Sequence, residues 1–254
     1  DKILEDAHPH VIGGRSEKKG DLEIILDCDM AIVHNGQINP EYLKEVDREI
    51  ITTGCDTEAL LHLFKEKGEY DILRNIPGAY TIAIADKRRK DIIVLRDKTG
   101  IKPGVLGWKD GKYVVASEEI AFRNNGGELI EDLDPGSVYY LTPKGDYRKE
   151  QVIQPNIKHC FFEWNYIGHF DSIINTISVR KLRETLGEIL AEEFHPKANL
   201  VTYIPRCPEV AARSYAKKTN LPFIPIFFKI HSERSFLGST ADDREKSIKN
   251  NLHL

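Results

Sequence analysis

The sequence has few cysteines and no long apolar run, and each shortage excludes a class of protein. Its four cysteines are Cys28, Cys55, Cys160 and Cys207, and no two of them form a C-x-x-C pair. Their spacing therefore indicates neither a zinc site nor a redox motif, and reduced thiols in a cytoplasmic protein are the simplest interpretation. The longest apolar run, near residues 79–85, is far too short to span a membrane, so we expect no membrane partner.

A large excess of charge of one sign is also missing. The chain has 36 lysines and arginines against 40 aspartates and glutamates, which gives a formal net charge of −4. No basic excess is available to neutralise phosphates, so we expect no nucleic acid as partner. Residues 1–6 include no apolar signal region. Because residue 1 is Asp1 and not methionine, we interpret it as a processed end or the end of a fragment.

The first part of the chain predicts strands joined by turns. The expected strands are residues 22–26, 30–33, 79–85, 92–95, 113–116 and 137–141, with 79–85 and 92–95 forming a hairpin. Helices are expected at residues 40–46 and 57–65. The second helix places Leu60, Leu61 and Phe64 on one face, and Asp56 is a plausible N-cap for it.

The pattern changes after a polar segment at residues 149–158, which we predict to be a linker. A helix at 178–194, a strand at 200–204, a helix at 210–218 and a strand at 224–228 follow in turn. This order is typical of an α/β layer with parallel strands. The polar residues 241–254 are not expected to complete such a domain, so the second unit looks cut short.

Two short motifs carry the chemistry. His34-Asn35-Gly36 follows an apolar strand, and Asp56-Thr57-Glu58 opens an apolar helix. The amide of Asn35 and the N–H of Gly36 are suited to a developing oxyanion, and the Asp56 carboxylate to a ligand ammonium. Plainer interpretations stay open: Asn-Gly is a common turn dipeptide, and Asp56 can serve only as a helix cap.

Further motifs follow these two in a fixed order. They are Gly78-Ala79-Tyr80, Arg96-Asp97-Lys98-Thr99-Gly100-Ile101-Lys102-Pro103, Val115-Ala116-Ser117-Glu118, Asp134-Pro135-Gly136, Cys160-Phe161-Phe162-Glu163-Trp164-Asn165-Tyr166, Asp171-Ser172 and Ser178-Val179-Arg180. Taken together over residues 31–236, they resemble the amidophosphoribosyltransferases of purine nucleotide biosynthesis, which begin with a class II glutamine amidotransferase domain.

The resemblance implies a fold, a function and a set of site residues. Residues 1–150 would form an incomplete αββα sandwich of the N-terminal-nucleophile type, and residues 159–254 part of a phosphoribosyltransferase-like α/β domain. Complete relatives transfer the amide nitrogen of glutamine to phosphoribosyl pyrophosphate. Asn35 and Gly36 match the oxyanion pair and Asp56 the carboxylate that holds the glutamine amino group. Arg15 is the candidate partner of the glutamine carboxylate.

The sequence also departs from the family pattern. The family's nucleophile is an N-terminal cysteine, which Asp1 does not supply, and the acidic phosphate-binding loop is absent before residue 254. The loop after the expected strand 200–204 is Pro205-Arg206-Cys207-Pro208. We therefore expect this chain alone to be inactive. It would hold no cofactor, although Mg²⁺ is expected in complete relatives, and a homo-oligomer is left open.

Other interpretations stay open at this stage. A non-catalytic glutamine-binding or interaction module that kept the sandwich is the alternative function. A relative of asparagine or glucosamine-phosphate synthases is a third, weaker one. His8, His10 and His34 lack the spacing of a metal-ligand pair, so we expect solvated or core histidines. Cys160 is expected to be a buried thiol rather than a ligand of an iron–sulfur cluster.

Overall fold

The chain divides into two compact units. The structure, a computed structural model, describes residues 7–20, 22–46, 49–230 and 240–253. The first unit is Asp1–Cys160 and the second is Phe161–Leu254. No helix within the described ranges is both long and apolar enough to cross a membrane.

Antiparallel strands build most of the first unit. The strands are β1 His10–Ile12, β2 Arg15–Lys19, β3 Leu22–Leu26, β4 Met30–Ile38, β5 Gly78–Asp86, β6 Ile92–Arg96, β7 Val105–Lys109, β8 Lys112–Ala116, β9 Glu128–Asp132, β10 Ser137–Leu141 and β11 Tyr147–Gln151. A six-stranded sheet has the order β1-β4-β5-β6-β10-β11, a three-stranded sheet has the order β8-β7-β9, and β2 and β3 form a separate hairpin. The hairpin expected from residues 79–95 is confirmed by the pairing of β5 with β6.

Alternation along the strands sends apolar side chains to two different cores. In β6, Ile93 and Leu95 pack on the face that meets the long helix α1, Asp56–Asn75. Val94 lies between them and packs with Leu106 of β7 in a second core between the two sheets. Successive side chains of a strand point to opposite faces, so one short apolar run fills both cores.

The layers follow the order helix, sheet, sheet, helix. The short helix α2, Ile120–Arg123, lies against the three-stranded sheet through Phe122. A Cβ atom on Gly107 would lie 2.4 Å from the Phe122 ring, so glycine is what allows this close contact. The αββα sandwich expected from the sequence is confirmed.

Helix α1 differs from the prediction at its start and in its length. Its N-cap is Cys55, not Asp56, and Asp56 is the first helical residue. The helix runs twenty residues, with a kink at Gly68, whose φ of 78° is outside the helical range. Leu60 and Leu61 are completely buried, as the apolar spacing indicated. The helix predicted at residues 40–46 is only a 3-10 turn, Tyr42–Glu45.

A buried arginine organises the turn after β6. Arg96 donates hydrogen bonds to the carbonyl oxygens of Gly100, Lys102 and Leu133, at 2.8, 3.1 and 2.6 Å. A guanidinium offers several donors in one plane, which suits a group of converging carbonyls. The motif at residues 96–103 is therefore a structural device that holds a loop in place.

The segment predicted to be a linker belongs to the first unit. Its first residues pair with β10 in the strand β11. Farther along, the N–H groups of Asn156 and Lys158 donate to the carbonyls of Lys98 and Thr99, at 2.8 and 2.9 Å. Polar composition suggested a free connection, but these backbone bonds fix the segment against the turn after β6.

The second unit is mainly helical. Helix α3, Val179–Glu193, is capped by Ser178, and helix α4, Glu209–Thr219, packs closely on it. A Cβ atom on Gly187 would lie 2.2 Å from the carbonyl oxygen of Ala211, so this glycine sets the helix separation. Both helices were predicted within a few residues.

The strands of the second unit are shorter than predicted. In place of the strand predicted at residues 200–204, Val201 forms one isolated parallel bridge with Phe223, the residue before the strand predicted at 224–228. The strand β14, Phe228–Lys229, pairs instead with β15, Leu252–His253, in antiparallel fashion. A short hairpin of β12, Ile173–Ile174, and β13, Ile177–Ser178, precedes α3. Helix α5, Ala241–Asn251, forms where only a polar end was expected.

Candidate functional site

Strand β4 carries the first motif on its two faces. His34 is buried against Tyr80 on the face toward α1, with ring centroids 6.4 Å apart. The Asn35 side chain crosses to the other sheet, where its Nδ2 donates to Oγ of Ser117 at 2.9 Å. Asn35 and Ser117 line a cavity of 170 Å³ together with Val33 and Thr81. The amide is therefore positioned beside a space that a small ligand group can enter.

Gly36 is required by the close approach of two strands. Its φ is 153°, and a Cβ atom built there would lie 2.1 Å from the carbonyl oxygen of Ala79. Asn35 and Gly36 pair with Thr81 and Tyr80 inside β4 and β5. The alternative that these two residues form a hairpin turn is therefore wrong.

Asp56 connects the start of α1 to the end of β4. Its Oδ2 accepts the backbone N–H of Ile38 at 3.1 Å, and its Oδ1 lies 3.8 Å from Nδ1 of His34. The carboxylate keeps 22% of its side-chain surface exposed. It is thus fixed by one oxygen while part of the group is open to a ligand.

Thr57 joins two histidines. Its Oγ1 lies 3.0 Å from Nε2 of His8 and 3.0 Å from Nδ1 of His34. A hydroxyl has one proton, so Thr57 donates to one ring nitrogen and accepts from the other. Burial lowers the pKa of His34, and the neighbouring Asp56 carboxylate offsets part of that effect. We infer a neutral imidazole at pH 7.

Glu58 anchors the loop that precedes the helix. Its carboxylate accepts the backbone N–H and the hydroxyl of both Thr52 and Thr53, at 2.7–3.1 Å. Burial opposes ionisation, but these hydrogen bonds outweigh it and lower the pKa of Glu58 to about 2. The three residues of the motif at 56–58 therefore tie α1 to a strand, to two histidines and to a loop.

Arg15 lies apart from these residues. It is exposed in β2, and its Nε is 3.7 Å from Oε1 of Glu17. It is not among the residues that line the cavity beside Asn35. The structure thus brings Asp56 of α1 to the end of strand β4, which carries Asn35 and Gly36. The role of Arg15 stays a prediction.

Sequence reasoning missed two contributors to the site, Thr57 and Ser117, which had no assigned role. His34 was expected to be a solvated or core histidine, and it is buried, but its contact with Thr57 was not predicted. Ser117 lies in the Val-Ala-Ser-Glu motif, which contributed to the family resemblance but suggested no role for this residue. Their partners lie 23 and 82 residues away in sequence. Only the folded sheet and helix bring such distant positions together.

Comparison with known proteins places these residues in a family. The model of a glutamine amidotransferase domain matches residues 24–159, more than half of the chain. The amidophosphoribosyltransferase of Bacillus subtilis (strain 168) is 31% identical over 235 residues, which cover 88% of this chain and 49% of that protein. Amidophosphoribosyltransferase 3, chloroplastic, of Arabidopsis thaliana is 31% identical over 253 residues, covering 93% and 47%.

Solved structures agree with the sequence matches. Glutamine phosphoribosylpyrophosphate amidotransferase from B. subtilis, complexed with ADP and GMP, has a TM-score of 0.77 at 29% identity. The match covers 98% of this chain and 55% of that one. The chain thus spans about half the length of the relatives that it matches, and the predicted resemblance to amidophosphoribosyltransferases is confirmed. On the strength of the domain match, the chain belongs to the glutamine amidotransferase family.

Proposed function

We propose that this chain is the glutamine-binding part of an amidophosphoribosyltransferase. In such a protein the glutamine amide nitrogen is released as ammonia and displaces pyrophosphate from phosphoribosyl pyrophosphate. The observation that carries the proposal is the arrangement around β4. An open carboxylate, Asp56, is fixed at the end of the strand whose Asn35 borders a cavity.

Asn35 and Gly36 are the proposed oxyanion donors. In the structure one N–H of the Asn35 amide donates to Ser117, and the second N–H of the same nitrogen is the proposed donor to the oxyanion. A donor of this kind contributes about 3–4 kcal/mol of transition-state stabilisation in other acyl-transfer enzymes. Ser117 would hold the amide in orientation before the substrate arrives.

Asp56 is the proposed partner of the substrate ammonium. Its hydrogen bond to Ile38 fixes the carboxylate, and a fixed carboxylate loses little freedom when a cation binds. Among the residues that line the cavity beside Asn35, none is a cysteine. We therefore assign substrate positioning, and not the nucleophile, to these residues.

The proposed setting is purine nucleotide biosynthesis in the cytoplasm, with glutamine and phosphoribosyl pyrophosphate as substrates. One solved neighbour is described as the allosteric regulatory enzyme of purine biosynthesis, and it matches 98% of this chain with a TM-score of 0.77. Its description supports the setting through similarity alone. Mg²⁺ would accompany the phosphoribosyl donor in the complete protein.

Glutamine binding tests the proposal. Calorimetric titration of the protein with L-glutamine is expected to give one site, with D-glutamine as the control for specificity. Asp56→Asn should weaken binding at least tenfold, because it removes the negative charge and retains the shape. The matched control is Asp146→Asn, which changes an exposed aspartate in the turn between β10 and β11.

The outcomes separate two functions. Binding that Asp56→Asn weakens supports the glutamine site, and binding that survives unchanged in this variant overturns it. Ammonia release from glutamine by the protein isolated from its native source would support the transferase. Tight glutamine binding with no hydrolysis would favour the non-catalytic binding module. Gly36→Ala is unsuitable as a test, since the added Cβ collides with Ala79 whatever the function.

A further inference from the structure

Two histidines and a cysteine from separate parts of the first unit meet at one place. His8, His10 and Cys55 each offer one nitrogen or sulfur atom, and these three atoms lie within 4.8 Å of one another. His8 precedes β1, His10 is the first residue of that strand, and Cys55 is the N-cap of α1. The sequence spacing gave no reason to group them, because His10 and Cys55 are 45 positions apart.

A buried nitrogen at this place has no protein partner. His10 is only 6% exposed, and its Nε2 makes no hydrogen bond. Buried polar atoms in folded proteins nearly always have a partner, so an orphaned imidazole nitrogen needs an explanation. The rings of His8 and His10 lie edge to face with centroids 5.4 Å apart. Each ring also has a nitrogen within 4.8 Å of the sulfur of Cys55.

We propose that His8, His10 and Cys55 bind a Zn²⁺ ion. Imidazole nitrogen and thiolate sulfur are preferred zinc ligands, whereas Mg²⁺ and Ca²⁺ prefer oxygen. Three protein ligands leave a fourth position for water or another donor. The proposed metal site adjoins the proposed glutamine site, because His8 also lines the cavity beside Asn35. The inference goes beyond that function and departs from the expectation that this chain holds no cofactor.

The surroundings support a cation. Thr57 contacts Nε2 of His8 at 3.0 Å, so a metal bound through Nδ1 would leave that orienting contact intact. Oδ1 of Asp56 lies 3.9 Å from Sγ of Cys55, which places a carboxylate beside the ligand set. A nearby negative charge favours a bound divalent ion. When the ion binds, the Cys55 thiol releases its proton to solvent and the thiolate forms the metal–sulfur bond.

Cobalt substitution is the direct test. The tag-free reduced protein is titrated with Co²⁺ under argon, and the near-ultraviolet charge-transfer band of a thiolate–cobalt bond is recorded. We expect one equivalent to bind and Zn²⁺ to displace it with loss of the band. Competition with a chromophoric chelator then gives the zinc dissociation constant.

Matched variants decide between this site and any other. Cys55→Ser should abolish the charge-transfer band, and Cys28→Ser, which changes another half-buried thiol, should keep it. His8→Ala should raise the zinc dissociation constant at least tenfold, while His62→Ala in α1 should leave it unchanged. His8 is exposed, so its removal is compatible with folding, which circular dichroism confirms for each variant.

Each outcome bears on the proposal. A band that disappears with Cys55 and an affinity that falls with His8 support the site. Absence of a charge-transfer band in the wild-type protein overturns it. A band that persists in Cys55→Ser, or one that depends on Cys28, also overturns it. Failure of glutamine binding would leave the cobalt result unaffected, so the two proposals are tested separately.

Discussion

The two units of this chain bury their apolar side chains to different extents. In the first unit, a helix and two sheets enclose two cores, and Leu60, Ile32 and Ile93 are completely buried. In the second unit, the small core consists of Trp164, Ile174 and Val179 with Leu182 beside it. Many large apolar side chains there are more than a third exposed, and they include Phe161, Phe162, Ile167, Ile189, Leu190, Phe194, Ile204, Ile224, Phe228 and Ile230.

The candidate site lies in the unit whose core is the better packed. Asn35, Gly36 and Asp56 lie on elements whose other faces are fully buried, so their geometry is strongly determined. Helix α3 packs on α4 yet leaves Ile189 and Leu190 44% and 50% exposed. Free energy from apolar burial scales with the area removed from water, so we expect the second unit to be less stable.

The largest effect is expected from a core substitution in the first unit. Leu60→Ala removes a completely buried side chain and should lower the free energy of unfolding by about 2–5 kcal/mol. Leu190→Ala, at a residue that is 50% exposed in α3, should change it by less than about 0.5 kcal/mol. Urea unfolding is followed by Trp108 in a Trp164→Phe background for the first unit, and by Trp164 in a Trp108→Phe background for the second.

Equal effects of the two leucine substitutions would remove the contrast between the units. The two tryptophans make the measurement possible, because the chain has only Trp108 and Trp164. Each is in a different unit, so each emission signal has a single origin.

Acid should destabilise the first unit through Glu58. Its folded pKa is about 2, below the ordinary value of 4.5, so its ionised form stabilises the fold. The contribution, roughly 3 kcal/mol, is present above pH 4.5 and is lost as pH falls from there toward 2. Glu58→Gln should reduce the slope of stability against pH in that window. An unchanged slope in the Trp108 signal would contradict the role of Glu58.

Replacement of a buried arginine compares the units on equal terms. Arg183 donates to the carbonyls of Trp164 and Gly168, both at 2.8 Å, much as Arg96 does in the first unit. Arg183→Lys should cost about 1–3 kcal/mol, because lysine leaves at least one buried carbonyl without a donor. Arg96→Lys, which affects three carbonyls, should cost more. Chemical denaturation of both variants checks the order, and the reverse order would contradict it.

The smallest effect is expected from the bond that spans the two sheets. Ser117→Ala removes the acceptor of the Asn35 amide and should cost about 0.5–1.5 kcal/mol of stability. The free energy of unfolding is measured from the fluorescence of Trp108. Ser137→Ala is not a suitable control, because Ser137 is buried. Ser16→Ala is the comparison variant, because it removes an exposed hydroxyl that donates to Glu23 within the hairpin of β2 and β3. A cost as small as that of Ser16→Ala would show that the bond between the sheets contributes no more than an exposed surface hydrogen bond.

Alternation and helical spacing were sufficient to predict most of the fold. The apolar runs at 79–85 and 92–95 gave the central strands, and Leu60, Leu61 and Phe64 gave the buried face of α1. Strands with little apolar content were missed. In β2 every residue is exposed, and in β11 only Tyr147 is partly buried, so hydrogen bonding and not burial places them in sheets.

The site was predictable only where its residues stand in short, recognisable motifs. Asn35, Gly36 and Asp56 were identified from two short stretches. Asp56 was predicted as the N-cap of α1 and is the first residue of the helix, one position farther in. The contacts of Thr57 with His8 and His34 and of Asn35 with Ser117 join residues far apart in sequence. Such pairs leave no local pattern, since each member alone is an ordinary polar residue.

The kink at Gly68 divides α1 into two lengths with different neighbours. Before the kink, Asp56 bonds to the end of β4 and Thr57 contacts His34. After the kink, Glu69 pairs with Arg89 at 2.9 Å and accepts a hydrogen bond from the Tyr140 hydroxyl. Gly68 therefore lets one helix serve two tasks: the segment before it positions Asp56 beside β4, and the segment after it fixes Glu69 against β10. Leu60 and Ile72, one in each segment, pack in the same core, so burial as well as the chain joins the two segments.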